Sequence, residues 1–268
     1  MTNQNPPHGD RRPVAYLNDK FLNSPDARAL RILSEFLEPL AHFRREKIRD
    51  TVVFFGSARI REEGPMSRYY QDARTLARML TEWSAQFDGN PYRFVICSGG
   101  GPGIMEAANR GAHEGGGKTV GLNIGLPFEQ FPNPYITPEL SFEFHYFFMR
   151  KFWFSYLAKA LVVFPGGFGT LDEMMEVLTL VQTQKLAKRM AIVVYGSAYW
   201  NEVINFQALV KHGTISAEDL NLFQFADDPE TALELLKPGL AEYAAQSDTM
   251  ELPAFARSRN PQRPAGTT

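Results

Sequence analysis

The sequence predicts an α/β protein: a single doubly wound, Rossmann-like parallel sheet flanked by helices, with an N-terminal helical extension. Three observations lead there. Apolar runs of strand length recur at residues 51–55, 94–97, 119–124, 161–164 and 190–195. Between them, apolar residues fall at helical spacing. Two of the strands run directly into glycine-rich loops followed by helices, the order by which a doubly wound sheet gathers a ligand at the carboxyl ends of its strands.

A chain of 268 residues has room for one such domain with short arms. The expected boundaries are an arm or extended lead-in over 1–25, the domain over 26–243 with its N-terminal helix in 26–50, and a polar, proline-bearing tail over 244–268. Hydrophobic content of 44% and charged content of 22% are ordinary for a globular protein. The net charge of −2 argues against a general nucleic-acid or anionic-membrane binder. A single cysteine, Cys97, excludes an internal disulfide and a cysteine-cluster metal site, and its place in a strand makes it a core residue. The N-terminus carries no basic-then-apolar signal and no apolar run has bilayer length, so the expected location is the cytoplasm.

In chain order, residues 26–48 carry Leu30, Leu33, Leu37 and Leu40 at helical spacing, with Pro39 marking a break or kink. This helix is expected against the body of the domain or a partner subunit, with the basic run at 44–47 as a solvated helix end. The strand TVVFF follows at 51–55, then the turn Gly56, Ser57, Ala58, Arg59, in which Arg59 reads as an ordinary loop residue. Residues 69–87 form a helix with Leu76, Met79, Leu80 and Trp83 on one face.

The strand at 94–97 opens into Ser98, Gly99, Gly100, Gly101, Pro102 and Gly103. A helix carried by Ile104, Met105, Ala107, Ala108 and Ala112 comes next and stops at Gly115–Gly117. The GGGKT there imitates the end of a phosphate-binding P-loop. Its first glycine position holds Ala112, and a helix precedes it where a strand is required. It is a turn, with Lys118 expected in solvent. Residues 128–138 form a proline- and aromatic-rich loop expected to border the pocket.

Residues 142–160 are the densest aromatic region. Met149, Phe152, Trp153, Tyr156, Leu157 and Ala160 lie at helical spacing, and Phe147, Phe148 and Phe154 fall on other faces. A helix apolar nearly all round, from 147 to 160, calls for cover on several sides, which a second subunit would supply. The strand at 161–164 ends at Pro165. Gly166, Gly167 and Gly169 then form a tight loop, and Thr170 reads as the N-cap of a helix carrying Leu171, Met174, Met175 and Leu178. A strand at 190–195, a helix over 199–212, a short edge strand at 220–225 and a helix from 229 complete the pattern.

The loops indicate chemistry. The free N–H groups and positive dipole end of a helix suit a phosphate, and two strand–glycine loop–helix units in one chain point to a phosphate-bearing ligand. No G-x-G-x-x-G stands at a strand end, so a NAD-type site is not indicated. Glu173 has two readings. With Thr170 it matches the capping box, Ser/Thr-x-x-Glu, in which it merely caps the helix. As a carboxylate at the rim of a phosphate pocket, it is a candidate for chemistry on the rest of a nucleotide. Arg150 and Lys151 sit in the aromatic helix, either as snorkelling stems or as functional cations.

SGGGPGIMEAANRGA, the Met149–Arg150–Lys151 triplet and PGGFGTLDE, in that order between about residues 51 and 236, resemble the lonely guy family of cytokinin-nucleotide phosphoribohydrolases. The longer N-terminal region is similar to the bacterial, second-type branch, whose members were often labelled lysine decarboxylases. The resemblance implies hydrolysis of the N-glycosidic bond of a nucleoside 5′-monophosphate to a free base and ribose 5-phosphate. It implies Arg150 and Glu173 as catalytic residues. Ser57, Ser98, Gly99, Gly100, Gly101, Gly103, Met149, Lys151, Gly166, Gly167, Gly169 and Thr170 would then bind substrate. It implies no metal or other cofactor, and a homodimer or larger homo-oligomer. Two alternatives share such loops: a nucleotide-sensing protein that binds without cleaving, and a molybdenum-cofactor carrier.

Overall fold

The computed structural model describes residues 13–87, 93–126, 131–186 and 190–245. Seven strands form one sheet: β1 (Thr51–Phe55), β2 (Val95–Ser98), β3 (Thr119–Ile124), β4 (Ser141–Phe144), β5 (Ala158–Val163), β6 (Ala191–Tyr195) and β7 (Gln224–Ala226). Their order across the sheet is β4-β3-β2-β1-β5-β6-β7, and every pair is parallel. The chain winds outward from β1 to β4, returns to place β5 beside β1, and winds outward again. The predicted doubly wound sheet is therefore the observed one, with its reversal between β1 and β5.

β1 shows why these runs become strands. All five of its residues are buried, and they alternate between two cores: Val53 and Phe55 face one side, Val52 and Phe54 the other. β5 alternates likewise, Leu161 and Val163 against Ala160 and Val162. A parallel strand covered on both faces reads as a continuous apolar run. On one face pack α3 (Ser67–Ser84), α4 (Ile104–Glu114) and α9 (Pro229–Ala244). On the other lie α2 (Arg28–Arg45), α5 (Phe147–Tyr156) and α6 (Phe168–Gln182).

Several expectations are corrected. Residues 142–160 are not one helix: β4 occupies their start, α5 ends at Tyr156, and Ala158 already begins β5. The helical spacing of Leu157 and Ala160 continues by coincidence, because both are buried for the sheet's reasons. The predicted helix at 199–212 is two, α7 (Ser197–Val203) and α8 (Phe206–Lys211). The break falls at Asn205, whose side chain accepts from the Ala208 N–H and caps the second. Of the break or kink expected at Pro39, the break is absent, since α2 runs through it. Lys118 is not free in solvent; its Nζ lies 3.0 Å from Glu46 Oε2.

The cover expected for α5 from a second subunit comes in good part from α2 of the same chain. Phe36 stacks on Trp153, Phe43 packs on it at 5.2 Å, and the Trp153 indole donates to the Glu35 carbonyl. The Glu35 carboxylate accepts from the His145 and Tyr146 N–H groups at the start of α5. Leu30, Leu33 and Leu37 of α2 remain exposed, as do Phe147 and Phe148. Within the expected N-terminal arm, the described residues form the short helix α1 (Asp19–Leu22), tied to α2 where Arg31 donates to the carbonyls of Leu22 and Ser24. Residues 1–12 and 246–268, which hold the rest of the expected arm and nearly all of the tail, lie outside the described residues.

Candidate active site

The reversal between β1 and β5 leaves a crevice at the carboxyl ends of the strands, the place where open α/β sheets bind ligands. A cavity of about 1120 Å³ opens there. The loop after β1 lines it with Ser57, Arg59 and Arg61, and the segment after β5 lines it continuously from Pro165 to Glu173. Gly99 comes from the loop after β2, and Arg150 and Phe147 come from α5.

The segment after β5 is open. α6 begins at Phe168 with Gly167 as its N-cap, and no side-chain cap hydrogen bond is made there among the described residues. Thr170 is therefore not the N-cap; it lies in the first turn and is buried. The amides of Phe168, Gly169 and Thr170 precede the first intrahelical bond, made by the Leu171 N–H to the Gly167 carbonyl. This N-terminus faces the cavity. Tyr199 steadies the loop by donating its hydroxyl to the Gly166 carbonyl at 2.9 Å.

The capping-box reading of Glu173 falls with Thr170. Glu173 lies well inside α6, too far along to reach the free amides, and its side chain has no hydrogen-bond partner among the described residues. It is 9% exposed. Burial pushes its carboxyl up to about 7, against the pull of Arg150 and Lys151 and with a further push from Glu176 and Asp172. A buried, uncommitted carboxyl that titrates near neutrality is a poor helix cap and a good acid–base or electrostatic group.

Arg150 is held by the sheet. Its Nε donates to the Leu122 carbonyl at 2.8 Å, and its guanidinium lies over the Phe154 ring. Burial lowers its proton affinity, and the Glu173 charge partly restores it. Gly99 leaves room for Arg150: a Cβ there would stand 2.5 Å from Nη2 and 2.7 Å from Met105 Sδ, so a side chain would displace them. The Cys97 thiol behind Arg150 is buried and pushed up by burial, which keeps it inert.

The loop after β2 is closed. Ser98 Oγ donates to Asn109 Oδ1 at 2.6 Å and accepts from the Gly100 N–H. Asn133 Nδ2 donates to the Gly100 and Gly101 carbonyls and to Asn109 Oδ1. The first amide of α4, Ile104 N–H, donates to the Ser57 carbonyl. Gly103, at φ +73°, lets Ser57 come that close; a Cβ would stand 2.4 Å from its carbonyl oxygen. The N-terminus of α4 is thus covered by the loop after β1.

Of the residues predicted for the site, the cavity brings together Ser57, Gly99, Arg150, Gly166, Gly167, Gly169, Thr170 and Glu173. Ser98, Gly100, Gly101 and Gly103 stand behind its wall as the scaffold of the closed loop. Met149 packs in the core, and Lys151 pairs with Asp172 and Glu176 at 2.7 and 2.8 Å. Residues that sequence reasoning missed are Arg59, read as plain loop, and Arg61, Phe147 and Tyr199, which also line the cavity. The position of Arg59 two residues after Ser57, in a strand-end loop, was the available signal. Tyr199 had none, since α7 reaches the site only through the fold.

The family model described as "Possible lysine decarboxylase" matches residues 105–236. A cytokinin riboside 5′-monophosphate phosphoribohydrolase of Arabidopsis thaliana is 29% identical over 205 residues, spanning 75% of this chain and 86% of that protein. A probable enzyme of the same name from Oryza sativa subsp. japonica is 26% identical over 199 residues, 74% of this chain and 80% of that protein. Among solved structures, a structural-genomics target determined by X-ray diffraction matches with TM-score 0.50 at 21% identity, over 70% of this chain and 99% of that one, a likeness of fold alone. The molybdenum-cofactor carrier protein of Chlamydomonas reinhardtii, at TM-score 0.48 and 20% identity over 72% of this chain and 99% of that one, is too distant to bear on function. The decarboxylase description would imply pyridoxal phosphate, which such enzymes hold as a lysine Schiff base. Among the described residues no lysine lines the cavity, so the site does not fit that cofactor.

Proposed function

The chain belongs to the lonely guy family, and from that premise we propose that it hydrolyses the N-glycosidic bond of a nucleoside 5′-monophosphate, releasing the free base and ribose 5-phosphate. The observation that carries the proposal is Glu173: a buried carboxyl with no structural partner among the described residues, in the wall of the switch-point cavity, beside Arg150 and below an open helix N-terminus. The α6 amides take the 5′-phosphate, as a dipole end with unpaired donors favours an anion. Arg59, on the facing loop, adds positive charge. The glycosidic bond breaks through an oxocarbenium-like state with positive charge on the ribose. Ionised Glu173 stabilises that charge and holds a ribose hydroxyl or the attacking water, while Arg150 orients the carboxylate and the substrate.

Chromatography after incubation with AMP, and separately with an N6-isopentenyl adenosine monophosphate, tests the reading. Free base should appear from at least one of them. Tight nucleotide binding with no base released would leave a sensing protein instead.

The proposed location is the cytoplasm; no described helix is long and apolar enough to cross a membrane. The proposed partner is a second copy of the chain. The exposed Leu30, Leu33 and Leu37 stripe of α2 supports it, since α2 itself covers much of α5. Light scattering should give at least twice the 30.3 kDa of one chain, and Leu33→Glu should lower that mass. A monomer at micromolar concentration defeats the dimer.

A further inference from the structure

Lys151 stands beside Arg150 in sequence, yet it does not line the cavity. Its ammonium lies 2.7 Å from Asp172 Oδ2 and 2.8 Å from Glu176 Oε2, with its side chain 20% exposed. Those carboxylates flank Glu173 on α6, one residue before it and three after. Lys151 therefore does two things at once. It fastens α5, which carries Arg150, to α6, which carries Glu173. It also neutralises the two negative charges nearest to Glu173 on its own helix. Resting on the reading of Glu173 given above, we propose that Lys151 is a positioning residue that keeps the Glu173 carboxylate charged and in place, and does not itself touch substrate.

The charges around Glu173 make the direction definite. From α5 come Arg150 and Lys151, and from α6 Asp172 and Glu176. The loop after β1 contributes Arg59, Arg61 and Glu63 across the cavity. Cys97 of β2 faces Arg150 and is held neutral by burial. Asp219 meets α6 only at its far end, through Gln182. Burial alone would lower the Lys151 ammonium, but its ion pairs with Asp172 and Glu176 outweigh that and hold it above the ordinary lysine range. Lys151 thus stays protonated throughout the range in which Glu173 titrates. Without it, two unneutralised carboxylates would oppose the ionisation of Glu173, which already needs a pH near 7.

The test is a pH profile of kcat/KM for AMP, together with a substrate-free carbon-13 NMR titration of the Glu173 carboxyl, assigned by its loss in Glu173→Gln. In the wild type, activity should rise with pH through about 7 as Glu173 ionises. Lys151→Met should move that limb upward by about one pH unit, an activity loss of about ten-fold below the limb and little loss near pH 9. Lys151→Arg should restore the wild-type limb. Glu176→Gln should move it the opposite way, downward, and serves if the methionine variant folds poorly. An unmoved limb with a raised KM in Lys151→Met would make Lys151 a substrate ligand and overturn the proposal. So would an equal loss at every pH, or an unmoved Glu173 titration. The NMR arm requires no turnover, so it decides the role of Lys151 even if AMP is not hydrolysed and the functional reading fails.

Discussion

After β2, the glycine loop turns the carbonyls of Gly100 and Gly101 inward to Asn133 and offers the first amide of α4 to Ser57. After β5, the corresponding loop leaves the first amides of α6 facing a cavity and buries Glu173 one turn further on. Both segments are strand, glycine turn and helix. Their difference lies in what the fold lays over each helix N-terminus. The α4 end is covered by the loop after β1, while among the described residues the α6 end has no such cover, since it stands on the crevice side of the sheet reversal. A helix N-terminus becomes an anion site only if its donors are left unspent.

The largest effect that would break this contrast concerns phosphate. If the open α6 amides anchor the substrate, adenosine should react with a kcat/KM about 10³-fold below that of AMP, the scale of losing two or three charge-assisted hydrogen bonds. Equal constants would remove the anion site from α6.

Glu173→Gln comes next. The amide cannot carry the negative charge the oxocarbenium-like state needs, so kcat should fall by roughly 10²–10³. Stability should move the other way. The Glu173 carboxyl is raised in the folded state, so its favourable contribution is whole below the unfolded value of 4.5 and is lost as pH rises through about 7. A shift of this size is worth up to about 3 kcal/mol. At pH 8 the glutamine variant should therefore unfold at a higher temperature than the wild type, and at pH 4 the two should nearly coincide. Full turnover, or a variant less stable at pH 8, would return Glu173 to a structural role.

The smallest effect on chemistry belongs to the closed loop. Ser98→Ala and Asn133→Ala remove buried hydrogen bonds behind the cavity wall and should cost about 1–3 kcal/mol of stability each. They should change kcat/KM for AMP by less than about ten-fold at temperatures where the variants stay folded. Denaturant melts read beside kinetics sort the two loops. A large rise in KM with unchanged stability would mean that Ser98 contacts substrate, and that the closed loop is not closed in solution.

Strand runs were legible because a parallel strand buried on both faces must be apolar at every position, as Thr51–Phe55 nearly is. The same property hid the boundary between α5 and β5. Tyr156, Leu157 and Ala158 are all buried, and nothing in their types says where helix gives way to strand. Thr170 followed by Glu173 fits a local capping rule, and the rule failed because α6 starts at Phe168, with its N-cap, Gly167, three residues before Thr170. Element order alone rules out the GGGKT turn as a P-loop, but Glu46, which pairs with Lys118, is 72 residues away.

What the sequence determined by itself was the alternation of strands and helices, the presence of two glycine turns at strand ends, and Glu173 as a candidate beside one of them, whereas Arg150 stood out only through the family resemblance. Those features rest on local sterics, burial periodicity and short motifs, which neighbouring residues carry. Only the tertiary structure decided which helix N-terminus stays open, that Arg59, Phe147 and Tyr199 reach the cavity, and that Lys151 faces Asp172 and Glu176. It also decided that Glu173 titrates near neutrality. Asp172 and Glu176 are local neighbours, but the burial of that carboxyl and the facing charges of Arg150 and Lys151 are set by α5 and by its place beside the sheet reversal, and no stretch of sequence around residue 173 contains those.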